Sequence, residues 1–262
     1  MPRVSVLMAS YMPPRRFLVE SLESLDAQIY RDFEVIIVDE SDAETAAFLS
    51  SMRTNFPIRI VRPARRLGFA GSLNLGLENC SGELIARHDT DDICVPNRLE
   101  AQVAFLDQHP EICAVGAAIM KIGPDGEYLG TRRYPATPVG VRRLSGLWCP
   151  VAHPTMMLRR SFFERYGNYN SQPMEDYELW LRALAAGAKI ANLDQVLLKY
   201  RIEAKTIHSQ PRHWGEGLRL RWRHLNWEFL PTRLLGIALT SIAAVTPPSV
   251  FKHIYNLSNR LR

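Results

Sequence analysis

The first hundred residues alternate short apolar runs with segments of helical periodicity, and that rhythm leaves few folds open. Val4–Ala9, Phe33–Val38, Ile58–Val61 and Glu83–His88 are brief and rich in β-branched residues, as strands buried on both faces are. Between the first two, Leu18, Leu22, Leu25 and Ile29 recur at helical spacing. Helices are also expected over Glu44–Met52 and Phe69–Leu77. A fourth carries Leu99, Val103 and Leu106 and ends before Pro110, after which Ile112–Ile119 reads as another strand. The expected fold is α/β, a mostly parallel sheet wound by right-handed crossovers and flanked by helices. Ligands of such sheets lie beyond the carboxyl ends of the strands. Ser10-Tyr11, Asp39 and Asp89–Asp92 all fall at such ends.

The run Arg87-His88-Asp89-Thr90-Asp91-Asp92 concentrates three carboxylates within four residues. Like charges so close repel, and a fold tolerates them chiefly where a cation or hydrogen-bond donors occupy the site. Oxygen ligands without a nearby thiolate pair suit Mg²⁺ or Mn²⁺, ions that commonly arrive with phosphate. The plain alternative is a solvated turn whose acids cap the next helix, near Pro96.

The second half is less regular. Gly123-Pro124-Asp125-Gly126 signals a hairpin, Pro135–Pro138 a loop, and Met174–Leu181 opens a helix that stops at Gly187. Cys80, Cys94, Cys113 and Cys149 form no CxxC pair, so neither a zinc knuckle nor a redox motif is suggested; isolated thiols read as small buried hydrophobes in a reducing compartment. The chain runs directly into Val4–Ala9, so no secretory leader is expected. There is no Walker A loop and no dinucleotide fingerprint, which disfavours an ATPase and a dehydrogenase.

The last stretch changes character. Arg219, Arg221, Arg223 and Arg233 interleave with Trp214, Trp222, Trp227 and Phe229, followed by the apolar Leu234–Val245 and then Pro247-Pro248. Twelve residues are too few to span a bilayer, so an interfacial or re-entrant helix is expected; a closing helix buried on the globule is the alternative. The division read from this is a domain over residues 1–209 and a helical tail over 210–262. A net charge of +5 favours anionic partners, and with the Arg/Trp tail it raises nucleic acid as a rival partner. The basic residues are not concentrated in the α/β body, however, and the acidic run would repel phosphate without a metal, so no nucleic acid is expected.

Six segments carry a family resemblance: Val6–Tyr11, Val35–Ser41, Leu67–Asn74, Gly82–Ala86, Asp89–Asp92 and Glu175–Trp180. In this order and spacing, over about residues 3–202, the chain resembles glycosyltransferase family 2, inverting enzymes of the Rossmann-like GT-A fold. The resemblance implies a metal-dependent hexosyltransferase that takes sugar from a nucleotide-diphosphate sugar. It implies a carbohydrate or lipid-linked acceptor, in assembly of a cell-surface polysaccharide such as O-antigen, capsule or exopolysaccharide. The enzyme would be cytoplasmic and peripheral at the inner membrane face, using Mn²⁺ or Mg²⁺.

Roles follow by position. Ala9, Ser10, Tyr11 and Asp39 would line the nucleotide base, with Arg66, Gly68 and Asn74 on the same nucleotide side. Asp89 and Asp91 would reach ribose and metal, and Asp92 is free to cap the following helix instead. Asp176 would be the base that deprotonates the acceptor hydroxyl, beside Glu175; the plain alternative is two anions favourable at a helix start. His153 would lie near the acceptor. Arg201 or Lys205 could neutralise phosphate, and His208 could reach the diphosphate or metal. Two departures touch the nucleotide side: Asp39-Glu40-Ser41 stands where the family often has Asp-Asp-Gly-Ser, and Arg65-Arg66 precedes Leu67 where Asn is common. A catalytically silent nucleotide-sugar binder is a further alternative, against which Asp91 and Asp176 argue.

Overall fold

Alternation within each early strand sends neighbouring side chains to opposite faces, and both faces are apolar. β1 (Val4–Ser10) turns Val4, Val6 and Met8 toward one core and Leu7 toward the other. The computed structural model describes residues 1–171, 173–202 and 211–246. After β1 come α1 (Arg15–Asp26), β2 (Phe33–Asp39), α2 (Ala43–Ser51), β3 (Ile58–Val61), α3 (Gly68–Asn79) and β4 (Leu84–Arg87). Next are β5 (Ile93–Cys94), α4 (Arg98–Gln108), β6 (Ala114–Ile122), β7 (Tyr128–Arg132) and α5 (Pro138–Leu144). A short 3-10 turn (His153–Thr155) leads into β8 (Met157–Arg159), α6 (Arg160–Tyr166), α7 (Glu175–Ala185), β9 (Ile190–Arg201), α8 (Pro211–Arg223) and α9 (Leu230–Val245).

The strands form one curled sheet in the order β3-β2-β1-β4-β8-β6-β9-β5, with β7 paired to β6. β3, β2, β1 and β4 are parallel neighbours. β8 runs antiparallel to β4 and β6, while β6 and β9 run parallel over a long register. Most of the paired length is parallel, the α/β architecture expected. One face packs Leu18, Leu22 and Leu25 of α1 and Leu99, Val103 and Leu106 of α4. The other packs Leu73 and Leu77 of α3, Phe162 of α6, and Leu179 and Trp180 of α7.

Several boundaries differ from the sequence reading. α1 stops at Asp26, so Ile29 lies beyond it, 57 % exposed, with its amide donated to the Pro96 carbonyl. β6 starts at Ala114, because the amides of Ile112 and Cys113 are spent on the carbonyls of His109 and Lys189. Pro138 begins a helix, where its fixed φ suits the first turn, and Thr137 caps it through the Gly140 amide. Asp92 does not cap α4; the helix start at Asn97 has no side-chain cap. The turn at Gly123–Gly126 does join a hairpin, β6 to β7, with Gly126 at φ +85°.

The tail helices dock on the body with one face. Leu220 packs with Tyr177 and Leu181 of α7, and Gly236 lets α9 approach the Gly146 carbonyl closely. Arg221 donates to the carbonyls of Gly217 and Leu147, and Arg233 to those of Glu228 and His224. Both arginines are buried, so part of the tail's basic charge never reaches the surface. The opposite face of α9 exposes Leu235, Leu239 and Ile242. No described helix is long and apolar enough to cross a membrane.

Candidate active site

The carboxyl ends of β1, β2 and β4 meet at one edge of the sheet. Ser10 and Asp39 are in register, and the Ser10 hydroxyl donates to Asp39 Oδ1 at 3.0 Å, as does the Ser41 amide at 3.2 Å. Asp39 is fully buried, and its Oδ2 has no hydrogen-bond partner among the described residues; the Arg62 Nε is 3.8 Å away. An acceptor oriented on one oxygen and open on the other is poised to take a ligand N–H. Ala9 precedes Ser10, and Tyr11 projects outward with the Arg66 guanidinium stacked 3.9 Å from its ring centre.

Glu40 was not singled out as a site residue, and it organises the neighbouring helix. Its carboxylate accepts from the amides of Leu67 (2.8 Å) and Gly68 (3.3 Å) and from the Ser72 hydroxyl (2.6 Å). Burial opposes its ionisation, but these bonds and Arg66 outweigh burial and hold it below the usual carboxylate range. The start of α3 is thus neutralised by a protein anion, with Gly68 at φ +72° making the entry. Asn74, expected on the nucleotide side, has both ends of its carboxamide taken by the Tyr169 backbone, at 2.8 and 3.0 Å. It ties the loop before α7 to α3.

Asp89, Asp91 and Asp92 converge, with one oxygen of each within 4.8 Å of the others. Asp89 is ion-paired to Arg87. Asp92 is buried; its Oδ1 accepts from the Arg201 amide at 2.9 Å and its Oδ2 has no hydrogen-bond partner among the described residues. Burial, followed by the charges of Asp89 and Asp91, pushes the Asp92 carboxyl well up. A buried, orphaned oxygen beside two further carboxylates is an all-oxygen donor set that fits a hard divalent cation.

Arg87 closes the back of this cluster. It is buried, donates to the His88 carbonyl as well as to Asp89, and lies 5.1 Å from the Phe69 ring centre. Beneath the loop, the His88 ring contacts the Ser21 hydroxyl at 2.9 Å, and that hydroxyl also reaches the Asp89 carbonyl. The charge of Arg87 also acts on His153, on Tyr169 and on Glu175 and Asp176 at the start of α7. His153 Nε2 lies 2.9 Å from the Tyr169 hydroxyl, with Phe69 and Trp180 packed edge-on around the ring. Burial, then Arg87, drives its pKa far below the ordinary value, so the imidazole is neutral. His153 is thus a neutral imidazole hydrogen-bonded to the Tyr169 hydroxyl.

Glu175 and Asp176 open α7 after Met174, which takes the left-handed conformation at φ 62°. Both carboxyls are raised, chiefly by burial, with Arg87 among the opposing influences. The Tyr177 amide donates to Asp176 Oδ1 at 2.7 Å and fixes its orientation.

Arg201 is placed differently from expectation. Its guanidinium is enclosed by the carbonyls of Asp91 (2.9 Å), Gly123 (3.3 Å) and Pro124 (2.8 Å), by Glu20, and by the Phe17 ring at 4.2 Å. With every arm engaged, it braces the acidic loop. Arg201→Met should lower unfolding free energy by about 3 kcal/mol, read by urea denaturation, because it strands those carbonyls and Glu20. A stable variant with only a raised donor KM would restore the phosphate role. His208 and Lys205 lie outside the described residues.

A curled α/β sheet with an acidic triad and an oriented, buried aspartate beyond its carboxyl edge defines a GT-A glycosyltransferase. The chain belongs to glycosyl transferase family 2, whose family profile matches residues 5–167. It is similar to the amylovoran biosynthesis glycosyltransferase AmsE of Erwinia amylovora, 33% identical over 80% of each chain. S. aureus TarS 1-349 in complex with UDP-GlcNAc superposes with a TM-score of 0.71 at 18% identity, over 92% of this chain and 73% of that one. The mannosyltransferase PcManGT from Pyrobaculum calidifontis, in complex with GDP-Man and Mn²⁺, gives 0.63 at 17% identity, over 100% and 81%.

Proposed function

We propose that this chain transfers a hexose from a nucleotide-diphosphate sugar to an acceptor hydroxyl with inversion, in the assembly of a cell-surface polysaccharide. The observation that carries the reading is one buried arginine shared by two acidic centres: Arg87 is ion-paired to Asp89 of the Asp89–Asp91–Asp92 triad, and its charge also acts on Asp176, whose carboxyl feels Asp89 as well. The relative AmsE acts in amylovoran biosynthesis and is the main support for the polysaccharide setting. Asp39 accepts a ring N–H of the base through its open oxygen, beside Ala9, Ser10 and Tyr11. Asp89, Asp91 and Asp92 hold a divalent cation, Mn²⁺ or Mg²⁺, which would neutralise the diphosphate leaving group. Asp176 takes the proton from the acceptor hydroxyl as that oxygen attacks the anomeric carbon from the face opposite the leaving group. No covalent intermediate on the protein is needed. The reading is tested by thermal unfolding with a panel of nucleotide sugars, with and without Mn²⁺; a donor that binds the folded state raises its melting temperature. No shift with any donor would count against it.

The same reading places the protein at the cytoplasmic membrane face, where a lipid-linked acceptor would lie. Support comes from Leu235, Leu239 and Ile242, exposed at helical spacing on α9, with Trp222 and Trp227 also exposed. Replacing Leu239 and Ile242 by Asp should weaken flotation with anionic vesicles about tenfold or more, with donor affinity unchanged. Equal flotation of the variant and the parent would remove the membrane role from this face.

A further inference from the structure

Phe69 is left 42 % exposed, although the two side chains that hold its ring, Arg87 and His153, are buried. It is the second residue of α3, whose core packing is done by Ala70, Leu73 and Leu77. Phe69 itself belongs to neither apolar core. Its ring is nevertheless held on two sides: the Arg87 guanidinium lies 5.1 Å from its centre, and the His153 ring meets it edge-on at 6.3 Å and 85°. Neither support is free to move. Arg87 is bonded to Asp89 and to the His88 carbonyl, and His153 to the Tyr169 hydroxyl and packed on Trp180. Below, Glu40 fixes the turn that carries Phe69 through the Leu67 and Gly68 amides.

The result is a rigid aromatic wall with an open face. Through Arg87 it adjoins the acidic triad, and through His153 and Trp180 it adjoins α7, the helix that Glu175 and Asp176 open. A lone exposed apolar ring is ordinary on a protein surface; what sets Phe69 apart is that two buried, anchored side chains hold it beside the acidic triad with part of the ring open.

We propose that Phe69 is the platform on which the pyranose ring of the donor stacks. This rests on the donor reading above and extends it to the sugar. A pyranose presents C–H bonds of slight positive character on one face, and these match the electron-rich face of an aromatic ring. Hydroxyls at the ring's edge stay free for polar neighbours. The contact adds affinity for the sugar moiety alone, since the nucleotide is held at the ends of β1 and β2.

The test compares a nucleotide sugar with its parent nucleotide. The donor is chosen from UDP-glucose, UDP-galactose, UDP-GlcNAc and GDP-mannose as the one that most stabilises the full-length parent protein with Mn²⁺. Calorimetry then measures that donor and its nucleoside diphosphate on the parent, Phe69→Leu and Phe69→Tyr. Phe69→Leu should lose about three- to tenfold in affinity for the nucleotide sugar, with the diphosphate bound as before and Phe69→Tyr close to the parent. Equal losses for both ligands would overturn the platform in favour of a packing role for α3. Unchanged affinity for the nucleotide sugar would also overturn it. Failure of the parent to bind any of the four donors, while its diphosphate or none binds, would reject the donor reading itself and the platform with it.

Discussion

Asp176→Asn is expected to lower the rate of sugar transfer by at least about 100-fold while donor affinity stays at the parent level. The substitution keeps the shape and the bond from the Tyr177 amide but removes the proton acceptor. Initial transfer rates beside calorimetric donor affinity decide it. Near-normal rates in Asp176→Asn, with Glu175→Gln inactive, would move the base to the neighbouring carboxylate. The pH dependence has a definite sign. Burial raises the folded-state pKa of Asp176, so the acid limb of the rate should lie above the ordinary carboxylate range, with activity falling as pH drops through it. Stability runs the other way. A carboxyl with a raised folded pKa favours folding most below its unfolded pKa, and that advantage is lost as pH rises through the folded value. At neutral pH the charged Asp176 therefore costs stability, and Asp176→Asn should melt slightly higher than the parent while being nearly inactive.

Removing Asp91 should have an effect at least as large. Asp91→Ala is expected to reduce transfer by about 1000-fold or more and to abolish the Mn²⁺ dependence of nucleotide binding, because the leaving diphosphate loses its counter-charge. Mn²⁺ affinity measured by electron paramagnetic resonance, without donor, gives a reading independent of turnover. Full activity of the parent in excess EDTA would refute the assignment. Loss of folding in Asp91→Ala is not expected, since two of the three clustered acids remain and mutual repulsion falls.

The parts of this molecule that were legible in the sequence are those written locally. Strand runs with acids at their ends gave the parallel half of the sheet and the positions of Asp39, Asp89 and Asp91, because in such a sheet order along the chain implies a shared edge. The partners of residues whose contacts lie far along the chain were not legible. Asn74 carries a motif-like position, but its carboxamide is spent on a backbone 95 residues away. Arg87 reads as a charge flanking an acidic run; its burial becomes visible only when α3 brings Phe69 over it. The one local hint was a cation at the end of an otherwise apolar strand. Arg201 advertises a positive charge, whereas the carbonyls that consume it come from two separate turns. In the tail, composition showed an apolar stretch with arginines but not that Gly236 would let one face of α9 seat against the body.

The brace at Arg201 also bears on how the protein is made. Its backbone amide holds Asp92, which it follows by 109 residues, and its side chain holds the Asp91 carbonyl. A chain emerging from the ribosome presents all three aspartates long before their brace exists. The acidic loop acquires its final geometry only when β9 has been synthesised and zipped alongside β6. The nascent N-terminal half therefore lacks the contacts that hold Asp91 and Asp92 until the last strand of the sheet is made.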